Sequence, residues 1–227
     1  MPVVSTVSKL ILATVALSLY WTSVAGANEN APATLPFEMK NTSPPDEAAM
    51  QADLRRIISK DLKEIHENGF LSVSEDEVKS FMLGHLAPSF VDPSDLAERT
   101  RILYGLASSA PLLKFEGVIG IIAPSGPNRY YSVIRVYTLP GDITVTLEET
   151  DFASIGAKVS QVKEMINTEI NGHAGTATYR RAPNRKGLIL VSWITESRLL
   201  KLSLAGAGVG PEQQATALVL ARAVGKQ

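Results

Sequence analysis

Tyr131-Ser132-Val133-Ile134-Arg135-Val136-Tyr137-Thr138-Leu139-Pro140-Gly141-Asp142-Ile143-Thr144-Val145-Thr146-Leu147 decides the fold. Side chains alternate between the two faces of an extended strand. Tyr131, Val133, Arg135 and Tyr137 interleave with Ser132, Ile134, Val136 and Thr138, so both faces are partly apolar and the strand is central in its sheet. Pro140-Gly141-Asp142 is a turn cluster. Ile143, Val145 and Leu147 then alternate cleanly with polar residues. Two such runs around a tight turn predict an antiparallel meander.

The pattern extends in both directions. Phe115 to Ala123 is a preceding apolar strand with two glycines, and Pro124-Ser125-Gly126-Pro127-Asn128 is the turn after it. Downstream, Ala153 to Asn167 predicts a helix with Ile155, Val159, Val162, Met165 and Ile166 inward. Three strands follow at Ala174 to Arg181, Leu188 to Thr195 and Leu199 to Ala205. Arg185-Lys186-Gly187 and Glu196-Ser197 turn their hairpins. Pro211 opens a last helix that runs through Val224.

Upstream of Leu112 the hydrophobic period is about 3.6. Met50, Leu54, Ile57, Ile58, Leu62 and Ile65 form one helical stripe, ended by Asn68-Gly69. Ser74 and Glu77 make a capping-box pattern before Val78, Phe81, Met82 and Leu86, and Pro88 ends that helix. Asp92-Pro93 opens a third helix with Leu96, Ile102, Leu103 and Leu106 buried. The predicted fold class is α+β: an N-terminal three-helix segment, then a mainly antiparallel sheet in βββ-α-βββ-α order. The boundaries are 1–27 for a signal peptide, 28–45 for a disordered linker, 46–110 for the helical segment and 111–227 for the sheet-and-helix domain.

The signal peptide rests on Lys9, the apolar run Leu10 to Trp21 and the small-residue exit Ala25-Gly26-Ala27. A transmembrane anchor is the competing reading. It needs about 20 apolar residues, and Thr22 and Ser23 interrupt this run after about a dozen. Cleavage near Ala27 sends the chain to the periplasm or outside the cell, with no stable membrane span. The absence of cysteine excludes disulfides, thiol nucleophiles and thiolate metal sites. Such a body is held by packing, and a chain of this size buries roughly 70% of its unfolded surface. With 22 basic and 23 acidic residues, nothing marks a nucleic-acid partner.

The final third carries a resemblance. Asn171-Gly172-His173-Ala174 leads into a strand, Leu190-Val191-Ser192-Trp193 forms the next, and Leu200-Lys201-Leu202-Ser203-Leu204 the last. With the Ala-rich terminal helix, this is similar to a sheet-and-helix module of exported bacterial lipoprotein-like and anti-sigma-associated proteins of unknown function. The resemblance implies a binding or sensing scaffold outside the cytoplasm and no particular chemistry.

Candidate sites are few. His66, His85 and His173 lack metal or catalytic spacing, so no metal, cofactor or catalytic set is expected. Gly206, Gly208 and Gly210 precede Pro211 without the βαβ unit of a dinucleotide turn and read as a link to the last helix. Arg180, Arg181, Arg185 and Lys186 are the one basic concentration. They are the candidate binding residues for an anion or an acidic partner; a charged hairpin guarded against edge pairing is the alternative. Glu148, Glu149 and Asp151 would serve acid-base chemistry only if two of them converged in a cleft; otherwise they are a solvated strand end. Trp193, Tyr130, Tyr131 and Tyr137 suit either a ligand groove or the core. The expected function is a non-enzymatic exported binding or accessory protein of the bacterial envelope, whose partner is another envelope or secreted protein. The alternative is an envelope-polymer hydrolase using Glu/Asp chemistry.

Overall fold

The computed structural model describes residues 19–23, 47–100, 104–106, 112–122, 130–155 and 157–226. The linker 28–45, Ile102, Leu103 and the turn at 124–128 lie outside the described residues, as does the signal peptide apart from Leu19–Ser23. The elements in chain order are β1 (Leu19–Ser23), α1 (Glu47–Asn68), β2 (Leu71–Ser72), α2 (Glu75–Ser80), α3 (Leu83–Leu86) and α4 (Pro93–Arg99). Then come β3 (Tyr104–Leu106), β4 (Lys114–Ile122), β5 (Tyr130–Leu139), β6 (Ile143–Asp151), β7 (Ala157–Gln161) and β8 (Thr168–Ile170). The chain continues with β9 (His173–Arg181), β10 (Gly187–Ile194), β11 (Arg198–Gly206), α5 (Gln214–Arg222) and β12 (Val224–Lys226).

The fold is α+β, around an eight-stranded, mostly antiparallel sheet in the order β2-β9-β10-β11-β6-β5-β4, with β8 also on β9. Two three-strand meanders, β4-β5-β6 and β9-β10-β11, are joined through their last strands at β6–β11. Two of the hairpins follow from left-handed turn residues. Gly141 and Asp142 take positive φ (85° and 56°) between β5 and β6, and Arg185 (63°) does so between β9 and β10. Short β2 adds in parallel to β9 and ties the helical segment to the sheet.

One face of the sheet is the main core. Val145, Leu147, Val191, Trp193, Leu202 and Leu204 pack there, each at most 2% exposed. Helix α5 covers this face with Ala217, Leu220 and Ala221. Burying each large apolar side chain contributes about 1.5–3 kcal/mol. The β3–β12 pair sits beside the same core through Leu106 and Val224.

Three helical expectations are corrected. The Ala153–Asn167 segment is not a helix: it holds 3-10 turns at Ala153–Ile155 and Lys163–Met165 around strand β7. The order is therefore not βββ-α-βββ-α. Asp151 accepts from the Ser154 backbone N–H and the Ser154 hydroxyl donates back to the Asp151 carbonyl, which caps the first 3-10 turn, and the chain leaves that turn for strand β7. Asn167 then extends the sheet with its side chain, bonding both the N–H and the carbonyl of Ala177. Met165 is buried and neighbouring Ile166 exposed, so the apolar spacing does not describe one buried face.

The third helix stops at Arg99. Thr100 is extended (φ −144°, ψ 149°), and Leu106 lies on a strand. The second helix breaks at Met82, which is also extended, into α2 and α3. Its capping box is half formed. Ser74 Oγ accepts from the Glu77 N–H at 3.1 Å, while the Glu77 carboxylate reaches Arg180 instead. The first helix ends as its sequence predicts, with Gly69 at φ 77° and its N–H on the Ile65 carbonyl.

Candidate functional site

The other face of the sheet is built differently. Strand alternation puts Thr144, Thr146, Glu148 and Thr150 of β6 opposite the side that carries Val145 and Leu147. Lys201 and Ser203 of β11 oppose Glu148 and Thr146 across the ladder. Ser192 opposes both Lys201 and Thr176. A polar stripe therefore crosses the centre of the sheet beneath the helical segment.

Its members are bonded in pairs. Thr176 and Ser192 hydroxyls lie 2.7 Å apart, and those of Thr146 and Ser203 2.5 Å apart. Lys201 Nζ donates to Glu148 Oε2 at 3.2 Å, and Glu148 Oε1 accepts from Thr150 at 3.2 Å. The Thr144 hydroxyl accepts from the Leu83 N–H at 2.9 Å, fixing the start of α3 on this face. Burial of so many polar groups is tolerable only because they satisfy one another.

A cavity of about 60 Å³ lies between this floor and the helices. Leu71, Phe81, Leu86, Ile134 and Met165 supply apolar wall, and Asp61 of α1 supplies a carboxylate. Burial pushes the Asp61 carboxyl up from its ordinary value, and the nearby Arg180 charge partly offsets this. Arg180 is 4% exposed and lines the same cavity. Its guanidinium donates to Glu77 Oε1 at 2.6 Å. Its Nε is buried, and among the described residues no atom accepts from it. A buried donor left in that state costs about 1–3 kcal/mol.

The four basic candidates do not share a surface. Arg180 points into the cavity, whereas Arg181, next along the strand, is exposed with its guanidinium 5.5 Å from the Phe70 ring centre. Arg185 is exposed in the turn and Lys186 is half-buried. Of the three carboxylates, Glu148 faces the cavity, while Glu149 and Asp151 lie together on the opposite face. There Arg198 pairs with both, and Glu149 also accepts from the Tyr104 N–H at 3.1 Å. A cavity of about 20 Å³ adjoins them. Glu148 is thus separated from the other two by the sheet itself.

Trp193 is in the main core, Tyr130 in a smaller cluster with Val118 and Val133, and Tyr131 and Tyr137 are half-buried. His66 and His85 are exposed and His173 half-buried. Among the described residues no group of three or more His, Asp or Glu could hold a metal, and no helix is long and apolar enough to cross a membrane.

Sequence reasoning missed Asp61, Lys201, Thr176 and Ser192 as site residues. The available signal was the recurrence of polar residues at alternate positions on β6, β9 and β11. No family model, curated protein or solved structure matches this chain.

Proposed function

We propose that this chain is an exported, non-enzymatic binding or accessory protein of the bacterial envelope, working in the periplasm or outside the cell after cleavage near Ala27. The observation that carries the binding part is the polar-floored cavity held between the sheet and the helical segment. Its charged groups suit holding better than converting. Lys201 is engaged by Glu148 and Arg180 by Glu77, and Glu149 and Asp151 are engaged by Arg198 on the far side. The leader pattern at 1–27 supports export, and the cadence from Asn171 to Leu204 supports a sensing or binding scaffold. Its macromolecular partner is another envelope or secreted protein, not nucleic acid.

N-terminal sequencing after cell fractionation tests the address. A mature chain starting at Asn28 in the periplasmic or culture fraction is expected. An intact chain in the cytosol overturns it. Hydrolysis of an envelope polysaccharide or peptidoglycan by the purified protein, abolished by Glu148→Gln, overturns the non-enzymatic reading.

A further inference from the structure

The cavity leaves two groups without counterparts among the described residues. One is the Arg180 Nε donor, buried and facing no acceptor. The other is the Asp61 carboxylate, which lines the same cavity, feels the Arg180 charge, and has no hydrogen bond or close ion pair among the described residues. The remaining charges cancel: Glu77 takes the far side of Arg180, and Glu148 takes Lys201. With Asp61 ionised, the groups around the cavity carry one more negative than positive charge.

That arrangement disfavours both kinds of ion. A carboxylate would meet Asp61 and Glu148 without surplus positive charge to hold it. An ammonium would satisfy Asp61, but it would face the Arg180 charge and leave Nε unpaired. A neutral group with an acceptor beside a donor answers both: its carbonyl accepts from Arg180 Nε, and its N–H donates to Asp61. The volume admits about four to six water-sized groups. Leu71, Phe81, Leu86, Ile134 and Met165 offer the rest of such a molecule an apolar wall.

Resting on the binding reading above, we propose that the cavity takes a small neutral molecule: a carboxamide, or a group with the same adjacent acceptor and donor, on a short apolar body. The polar end lies between Arg180 and Asp61, and the apolar end lies under Phe81 and Leu86. Arg180 and Asp61 set the preference for a neutral ligand over its charged isosteres.

Three probes of matched chain length test this on the purified protein: butanamide, butyrate and butylamine. The readout is the Arg Nε–Hε resonance of Arg180 in a ¹⁵N-labelled sample. The assignment comes from Arg180→Lys, with the Trp193 indole resonance as a check of folding. Butanamide should shift the Arg180 signal in a saturable, millimolar titration, several-fold more tightly than either charged probe. Asp61→Asn, on a partly exposed helix position, should strengthen butyrate and weaken butylamine several-fold. Leu190→Phe, which fills the cavity, should abolish the butanamide response while the Trp193 signal stays native.

Tighter binding of butyrate or butylamine by the native protein overturns the proposal. So does an Arg180 resonance that none of the probes moves at the limit of solubility. These outcomes leave the export reading untouched. Cytosolic retention would overturn export while leaving the titrations as they stand.

Discussion

At the β6–β11 seam, Leu147 opposes Leu202 on one face, and one residue along, Glu148 opposes Lys201 on the other. The two pairs share backbone and register, yet they do different work. The leucine face is closed by α5 and supplies apolar burial. The charged face is closed by the helical segment over a cavity, and its groups offset the cost of their own desolvation by pairing. The largest apolar cluster thus lies on one side of the sheet and the polar-floored cavity on the other.

That contrast can be broken most forcefully on the leucine face. Leu202→Ala removes a fully buried side chain and should cost about 2–5 kcal/mol in urea unfolding. A loss under 1 kcal/mol would mean that the α5 face does not dominate stability. Next is Glu77→Ala, which strips Arg180 of its carboxylate. Hydrogen bonds to charged groups contribute about 1.5–3 kcal/mol, and a loss in that range is expected from the same measurement.

The hydroxyl pairs sharpen the comparison further. Ser192→Ala alone leaves Thr176 without its partner and should cost about 1 kcal/mol. Thr176→Val combined with Ser192→Ala should be nearly neutral, because both polar groups leave together. A double-mutant cycle reads the difference directly, and additive losses would contradict paired burial on this face.

The smallest effect concerns Asp61. Its carboxyl is held above its ordinary value by burial, so the folded chain binds this proton more readily than the unfolded one. Ionised Asp61 therefore opposes folding at neutral pH, and the opposition fades as pH falls from the folded value toward the unfolded one. Asp61→Asn should raise the melting temperature slightly at pH 7, with the gain shrinking on acidification through the carboxylate range. A gain that grows on acidification would reverse the assignment.

The six long strands, unlike short strands such as β2, β3, β7 and β8, were legible because a period of two survives in single runs such as Tyr131 to Thr138 and Ile143 to Leu147. What lay between them was less so. Ala153 to Asn167 has helical spacing, but Asp151 and Ser154 close a local turn and Asn167 pairs with the sheet through its side chain. The candidate site was legible only in fragments. Arg180 and Arg181 are neighbours in sequence and opposites in space, because alternation divides them. Lys201 and Glu148 meet through a register set between strands far apart in the chain, which no local pattern contains.

The two meanders also bear on how the chain reaches this state. Each closes through hairpins of a few residues, so β4-β5-β6 and β9-β10-β11 are local structures that form quickly. Their union at β6–β11 must instead close the long excursion between Asp151 and Arg198, which costs more chain entropy before any contact rewards it. Docking of the two halves is therefore the expected slow event, and stopped-flow refolding should be retarded more by substitutions along the seam than by substitutions in the outer hairpins.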